Sequence, residues 1–252
     1  METRTTDLTT PDGPMPCYEA LPDGGDAPAV GAVVVIQEAF GVNAHIEDVT
    51  RRFADAGYHA VAPHLFHRTG SPSFGYEDFS LVMEHMGALT DDGMLSDVRT
   101  ALDHLAGAGW PAAKTGVVGF CMGGRASFLI AGHVAIGAGV GFYGGGIVTG
   151  RNERMGSLLD LVPTLKAPWL GLFGDEDQSI PVEDVERLRT ELAEHAPVDT
   201  EVVRYPGAEH GFHCDARPSY SPDAAADAWR RTLDWLHRHL AVDGGPTGGR
   251  RE

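Results

Sequence analysis

The segment that constrains this chain most is Gly116-Val117-Val118-Gly119-Phe120-Cys121-Met122-Gly123-Gly124-Arg125-Ala126. An apolar run passes through Gly-x-Cys-x-Gly and straight into a helical pattern. A strand that turns into a helix this abruptly strains the backbone of the corner residue and crowds the positions two before and two after it. Gly119 and Gly123 remove the side chains that would collide there. Such a corner is the geometry of a nucleophile elbow, with cysteine in place of the usual serine. The thiol would sit at a helix N-terminus, where the positive dipole end favours thiolate, and the Met122 N–H would point at a developing oxyanion. The same residues also suit a buried cysteine whose glycines serve only close packing. The elbow alone does not decide between the two.

The remainder of the chain says what the elbow is set in. Apolar runs rich in Val and Ile at 31–37, 58–62, 116–120, 136–143, 169–173 and 201–205 read as strands covered on both faces. Amphipathic patterns lie between them. Ile46, Val49, Phe53 and Ala56 follow an Asn43 cap and precede a Gly57 stop. Leu95, Val98, Leu102 and Leu105 repeat the spacing, as do Val185, Leu188 and Leu192. Ser221-Pro222 opens a last helix with Ala225, Trp229, Leu233, Leu236 and Leu240 on one face. The expected class is α/β, a mostly parallel, doubly wound sheet with helices on both faces. Ligands of such sheets bind beyond the carboxyl ends of the strands.

A length of 252 residues suits one α/β domain, expected over 17–242 between a flexible, Pro/Gly-punctuated arm at 1–16 and a disordered tail at 243–252. Lys and Arg total 19 against 36 Asp and Glu, a net charge of −17, which excludes a phosphate-tracking nucleic-acid binder and argues against an anionic membrane surface. No apolar stretch approaches the roughly 20 residues of a membrane span. Three scattered cysteines, Cys17, Cys121 and Cys214, form neither a disulfide framework nor a zinc motif. With no secretion signal at the N-terminus, a cytoplasmic monomer or homodimer is expected.

A thiol nucleophile needs a base, and the base an orienting acid. The run at 169–173 ends in Gly174-Asp175-Glu176-Asp177-Gln178-Ser179-Ile180-Pro181, and the next ends in Pro206-Gly207-Ala208-Glu209-His210-Gly211-Phe212. An acid and a histidine thus follow two successive strand ends in the chain order of elbow hydrolases. Two decoys fail. Gly139-Val140-Gly141-Phe142-Tyr143-Gly144 matches a dinucleotide fingerprint but lies mid-chain and opens no helix. The pairs His64/His67, His210/His213 and His237/His239 have no matching carboxylate spacing. Neither a metal nor a cofactor is expected.

These motifs, together with Gln37-Glu38-Ala39-Phe40-Gly41-Val42-Asn43, Gly57-Tyr58, Pro63-His64-Leu65-Phe66-His67-Arg68 and Gly141-Phe142-Tyr143-Gly144, resemble the dienelactone hydrolases of the α/β-hydrolase superfamily over roughly 30–240. The resemblance implies an α/β-hydrolase fold and a lactone or carboxylic ester as small-molecule substrate. It implies Cys121 as nucleophile, His210 as base and Asp177 as acid, with Ile180-Pro181 setting the register and Asp175 the runner-up. Glu38 matches the glutamate that holds the resting thiol, and the Ala39 N–H the second oxyanion donor beside Met122. Phe40, Phe74, Tyr76, Tyr143, Phe212 and Cys214 are expected in the substrate pocket, under a segment at 71–93 that also offers Phe79, Met83, His85 and Met86. Cys214 stands where the family carries a substrate-binding arginine, and 71–93 has no arginine for the second. A neutral or aromatic substrate is therefore expected instead of an anionic dienelactone. Arg68, Arg125 and Arg217 remain as substitutes, each expected to be structural or solvated. The alternatives are a biosynthetic tailoring enzyme and a non-catalytic binder on the same fold.

Overall fold

The six apolar runs stand side by side in the computed structural model, which describes residues 1–23, 29–77 and 79–240. They form β3 (Gly31–Ile36), β4 (Tyr58–Pro63), β5 (Thr115–Phe120), β6 (Ala138–Phe142), β7 (Trp169–Gly174) and β8 (Thr200–Tyr205). All pair in parallel, in the order β4-β3-β5-β6-β7-β8. Every residue of β3 to β7 is buried, as unbroken apolar runs require, whereas the edge strand β8 is half-buried.

The helices fall on two faces. On one lie α1 (Ala44–Asp55), whose first turn is capped by the Asn43 side chain accepting from the Ile46 N–H, and α6 (Pro222–Leu240). They meet where Phe53 packs on Trp229, ring centroids 4.6 Å apart. The opposite face carries α3 (Asp91–Gly107) packed on α4 (Met122–His133). The helix α5 (Val182–His195) packs on β8. A short helix, α2 (Phe79–Ala88), lies within the segment 71–93.

The expected flexible arm at 1–16 is wrong. Residues Glu2–Thr10 form β1 and Gly13–Leu21 form β2, an antiparallel hairpin that joins the sheet through β2 beside β4. Pro11-Asp12-Gly13 punctuates a tight turn, with Gly13 at φ +114°, and the threonines around it favour extended backbone. Leu8, Met15 and Cys17 are buried by this pairing. The expected tail at 243–252 lies outside the described residues. The GxGxxG segment runs from β6 into turns and opens no helix. No helix among the described residues is long and apolar enough to cross a membrane.

Strand order reverses between β3 and β5, since β4 lies on one side of β3 and β5 on the other. The crevice beyond their carboxyl ends is where this architecture binds ligands. Gln37-Glu38-Ala39 follows β3 and Cys121 follows β5.

Candidate active site

Cys121 occupies the corner between β5 and α4 at φ 55° and ψ −114°, a conformation that costs a non-glycine residue about 1–3 kcal/mol. Its N–H donates to the Phe142 carbonyl at 3.0 Å, which pins the corner to β6. A Cβ on Gly119 would lie 1.9 Å from the Gly123 carbonyl oxygen, and one on Gly123 would lie 2.5 Å from the Ile36 oxygen. Both glycines are thus sterically required. Met122 is the first residue of α4, so its N–H has no acceptor within the helix.

The loops after β7 and β8 are bound to each other: the Asp175 N–H donates to the Tyr205 carbonyl at 3.0 Å and the Glu176 N–H to Ala208 at 2.9 Å. This brings Asp177 to His210. The His210 Nδ1 lies 2.6 Å from Asp177 Oδ2, and the buried carboxylate accepts at Oδ1 from the Ser179 N–H at 2.8 Å and the Ser179 hydroxyl at 2.6 Å. Burial pushes the Asp177 carboxyl up, but these hydrogen bonds outweigh it and hold it below the ordinary carboxylate range. Asp175, the runner-up, is instead paired with Arg204 at 2.7 Å.

Cys121 and His210 form the other half of the arrangement. Burial raises the thiol, yet the His210 charge and hydrogen bond, with help from Arg151 and against Glu38, leave it below the usual thiol range. Burial lowers His210, but the charge of Cys121 and the bond to Asp177 raise it above the usual imidazole range. The two shifts have one cause: the charges of Cys121 and His210 each favour the charged form of the other. Tyr143, itself buried at a strained φ of 38°, sets its ring edge-on to His210 at 5.0 Å.

Glu38 is buried, and the contact expected between it and the thiol is not the one the structure makes. The Tyr76 hydroxyl donates to its Oε2 at 3.1 Å, and Arg217 lies 3.6 Å from its Oε1. Arg217 also stands over the rings of Phe40 (5.9 Å) and Tyr76 (5.4 Å). A cavity of about 630 Å³ opens over Cys121, Asp177 and His210. Met83 and Met86 from α2, Met155, and Ala39 beside the elbow are among its walls.

The expected pocket residues need correction. Phe40, Phe74, Tyr76, Tyr143, Phe212 and Cys214 are not among the described residues lining that cavity. They pack among themselves and their neighbours: Phe40 lies edge-on to Tyr76 at 4.7 Å, Phe74 against His85 at 5.2 Å, and Phe212 against Tyr143 at 5.4 Å, while Cys214 is fully buried. Two arginines are structural as expected. Arg68 forks onto Asp97 at 2.7 and 2.9 Å and also pairs with Asp12, and buried Arg125 grips Asp91 and the carbonyls of Gly146 and Gly156. Arg217 departs from its expectation, because it lines the cavity. Sequence reasoning missed Arg151 and Ser179. Nothing in the spacing marks Arg151, whereas a serine two residues past an aspartate is a familiar local hydrogen-bonding pattern. No group of three or more His, Cys, Asp or Glu fit to hold a metal ion occurs among the described residues.

Comparison with known proteins identifies relatives of this chain. The sequence profile of the dienelactone hydrolase family matches residues 15–240. A Methylorubrum extorquens protein assigned as a carboxymethylenebutenolidase is 39% identical over 231 residues, covering 90% of this chain and 78% of that protein. An Escherichia coli K12 protein with the same assignment is 38% identical over 234 residues, covering 89% and 83%. A Klebsiella pneumoniae crystal structure assigned as a dienelactone hydrolase superposes with a TM-score of 0.85 at 36% identity, covering 94% of this chain and 98% of that one.

Proposed function

This chain belongs to the dienelactone hydrolase family, and on that premise we propose that it is a lactone or carboxylic-ester hydrolase working through Cys121, His210 and Asp177. The observation that carries the reading is the hydrogen bond of Asp177 to His210, whose charge draws down the Cys121 thiol held on a strained corner. The Cys121 thiolate attacks the acyl carbon, and the oxyanion is received by the N–H groups of Met122 and Ala39. As the tetrahedral species collapses, His210 Nε2 gives its proton to the departing alkoxide, leaving a thioester. The same nitrogen then takes a proton from water, hydroxide adds to the thioester, and the acid leaves as the thiolate returns. Glu38, held by the Tyr76 hydroxyl and Arg217, opposes the thiolate by its charge, and His210 outweighs it.

The favoured substrate is neutral, with an apolar or aromatic group against Met83, Met86 and Met155, side chains that adapt to varied shapes. Arg151 and Arg217 on the walls face three carboxylates, Glu176, Asp177 and Glu209, and Arg217 is already matched by Glu38. An anion entering a chain of net charge −17 meets repulsion. Arg217 supports a second reading, in which it leaves Glu38 for a substrate carboxylate. Paired esters differing only by a distal carboxylate separate the two. Faster, iodoacetamide-sensitive turnover of the neutral member supports the first; preference for the acid that disappears in Arg217→Met supports the second.

A further inference from the structure

Three donors meet the carboxylate of Asp177, and two of them belong to one residue. The Ser179 hydroxyl donates to Oδ1 at 2.6 Å and the Ser179 N–H to the same oxygen at 2.8 Å, while Oδ2 is left to His210 Nδ1 at 2.6 Å. The Ser179 oxygen also stands 3.3 Å from that Nδ1. We infer that Ser179 is a positioning residue of the reaction, fixing the plane of the Asp177 carboxylate and the tautomer of His210 together. The inference rests on the triad proposed above, to which it adds a fourth member that does not touch substrate.

A carboxylate turns on a soft terminal torsion, so a single partner leaves its plane loose. Two donors on Oδ1, one from backbone and one from side chain, hold that plane and present Oδ2 to the imidazole. The proton of the Ser179 hydroxyl is committed to Asp177, so the face that Oγ turns to His210 is a lone pair. Nδ1 is then surrounded by acceptors alone, Oδ2 and Oγ, and must carry its hydrogen. The other ring nitrogen, Nε2, is thereby kept for exchange with Cys121. Ser179 also lines the cavity, so a bound substrate that shields it from water strengthens the lock.

The test compares Ser179→Ala and Ser179→Thr with the wild type in two assays. The first is turnover of an activated neutral ester. The second is the rate at which iodoacetamide alkylates Cys121 as a function of pH, which reads thiolate without requiring turnover. His210, Glu38 and Arg151 all face that thiol electrostatically, and neither substitution alters them. Removing a hydrogen bond to a charged group while the backbone donor remains should lower kcat about tenfold, with KM changed less than about twofold. The alkylation inflection should move up by about half a pH unit, because a less firmly held imidazolium stabilises the thiolate less. Threonine should restore both. A Ser179→Ala protein with the wild-type kcat and alkylation profile overturns the inference, as does Ser179→Thr as impaired as alanine. Failure of the triad reading looks different. In that case the wild type hydrolyses no ester, yet Ser179→Ala still shifts the alkylation profile. If instead Asp177→Asn abolishes turnover and Ser179→Ala leaves both readouts intact, the triad stands and this inference falls.

Discussion

Replacing Asp177 by asparagine keeps the shape of the side chain and reverses one hydrogen bond. The carbonyl oxygen of asparagine can still accept from the Ser179 N–H and hydroxyl, now at 2.8 and 2.6 Å. That choice turns the amide NH₂ toward His210, where a carboxylate oxygen now accepts at 2.6 Å. The imidazole must then accept at Nδ1 and carry its proton at Nε2, facing the thiol it should deprotonate. Loss of a charge-assisted hydrogen bond at a buried site costs about 3–4 kcal/mol in the imidazolium-bearing states. At about 1.4 kcal/mol per factor of ten, kcat/KM should fall by roughly two to three powers of ten. Asp175 supplies the control. Its carboxylate pairs with Arg204 at 2.7 Å, partly exposed, so Asp175→Asn should change activity less than about twofold and stability by about 1 kcal/mol or less. Initial rates on a p-nitrophenyl ester, with circular dichroism to check folding, make the comparison. If Asp175→Asn loses more than Asp177→Asn, the acid has been misassigned.

Two further outcomes follow from the packing. His213 is buried among Phe120, Phe142 and Trp229, and burial followed by the charges of His45 and Arg52 pushes its imidazole down to about 3. The folded chain excludes a proton that the unfolded chain takes up below about 6.5, so this contribution is complete above that pH and is lost as pH falls toward 3, with a slope of at most about 1.4 kcal/mol per pH unit. His213→Phe should therefore flatten the decline in Tm between pH 7.5 and 5, and an unchanged slope would show that other groups set it. Gly119→Ala puts a methyl 1.9 Å from the Gly123 carbonyl oxygen, so it should abolish activity and lower stability by several kcal/mol; a near-native Tm with full turnover would mean that the elbow can relax.

Much of this is legible in the amino-acid sequence alone. The six buried strands announce themselves as continuous Val- and Ile-rich runs, and Asn43, Gly57 and Ser221-Pro222 mark helix ends by local chemistry. Cys121, Asp177 and His210 are readable because each follows a strand, and strand ends converge. The hairpin of β1 and β2 escaped because β1 faces solvent along most of its length and its turn residues imitate a linker. The pocket escaped for a different reason. Aromatic residues such as Phe74 and Tyr76 look like a lining, but composition does not tell which side of a wall a ring occupies, and the methionines of α2 face the cavity instead. Arg68, Arg125 and Arg217 are equivalent in sequence; only their partners, Asp97, Asp91 and Glu38, separate two braces from a cavity wall. The clasp of Tyr76 on Glu38 joins residues 38 positions apart, a distance no local pattern spans.

The central claim is that Cys121 carries the acyl group. Rapid quenching of the protein with a neutral p-nitrophenyl ester, followed by intact-mass and peptide analysis, tests it directly. The account predicts a mass increment equal to the acyl group on the peptide containing Cys121, formed with a burst of p-nitrophenol and absent from Cys121→Ala, whose turnover falls to background. Sustained turnover by Cys121→Ala, or an acyl group carried on a different residue, would contradict it.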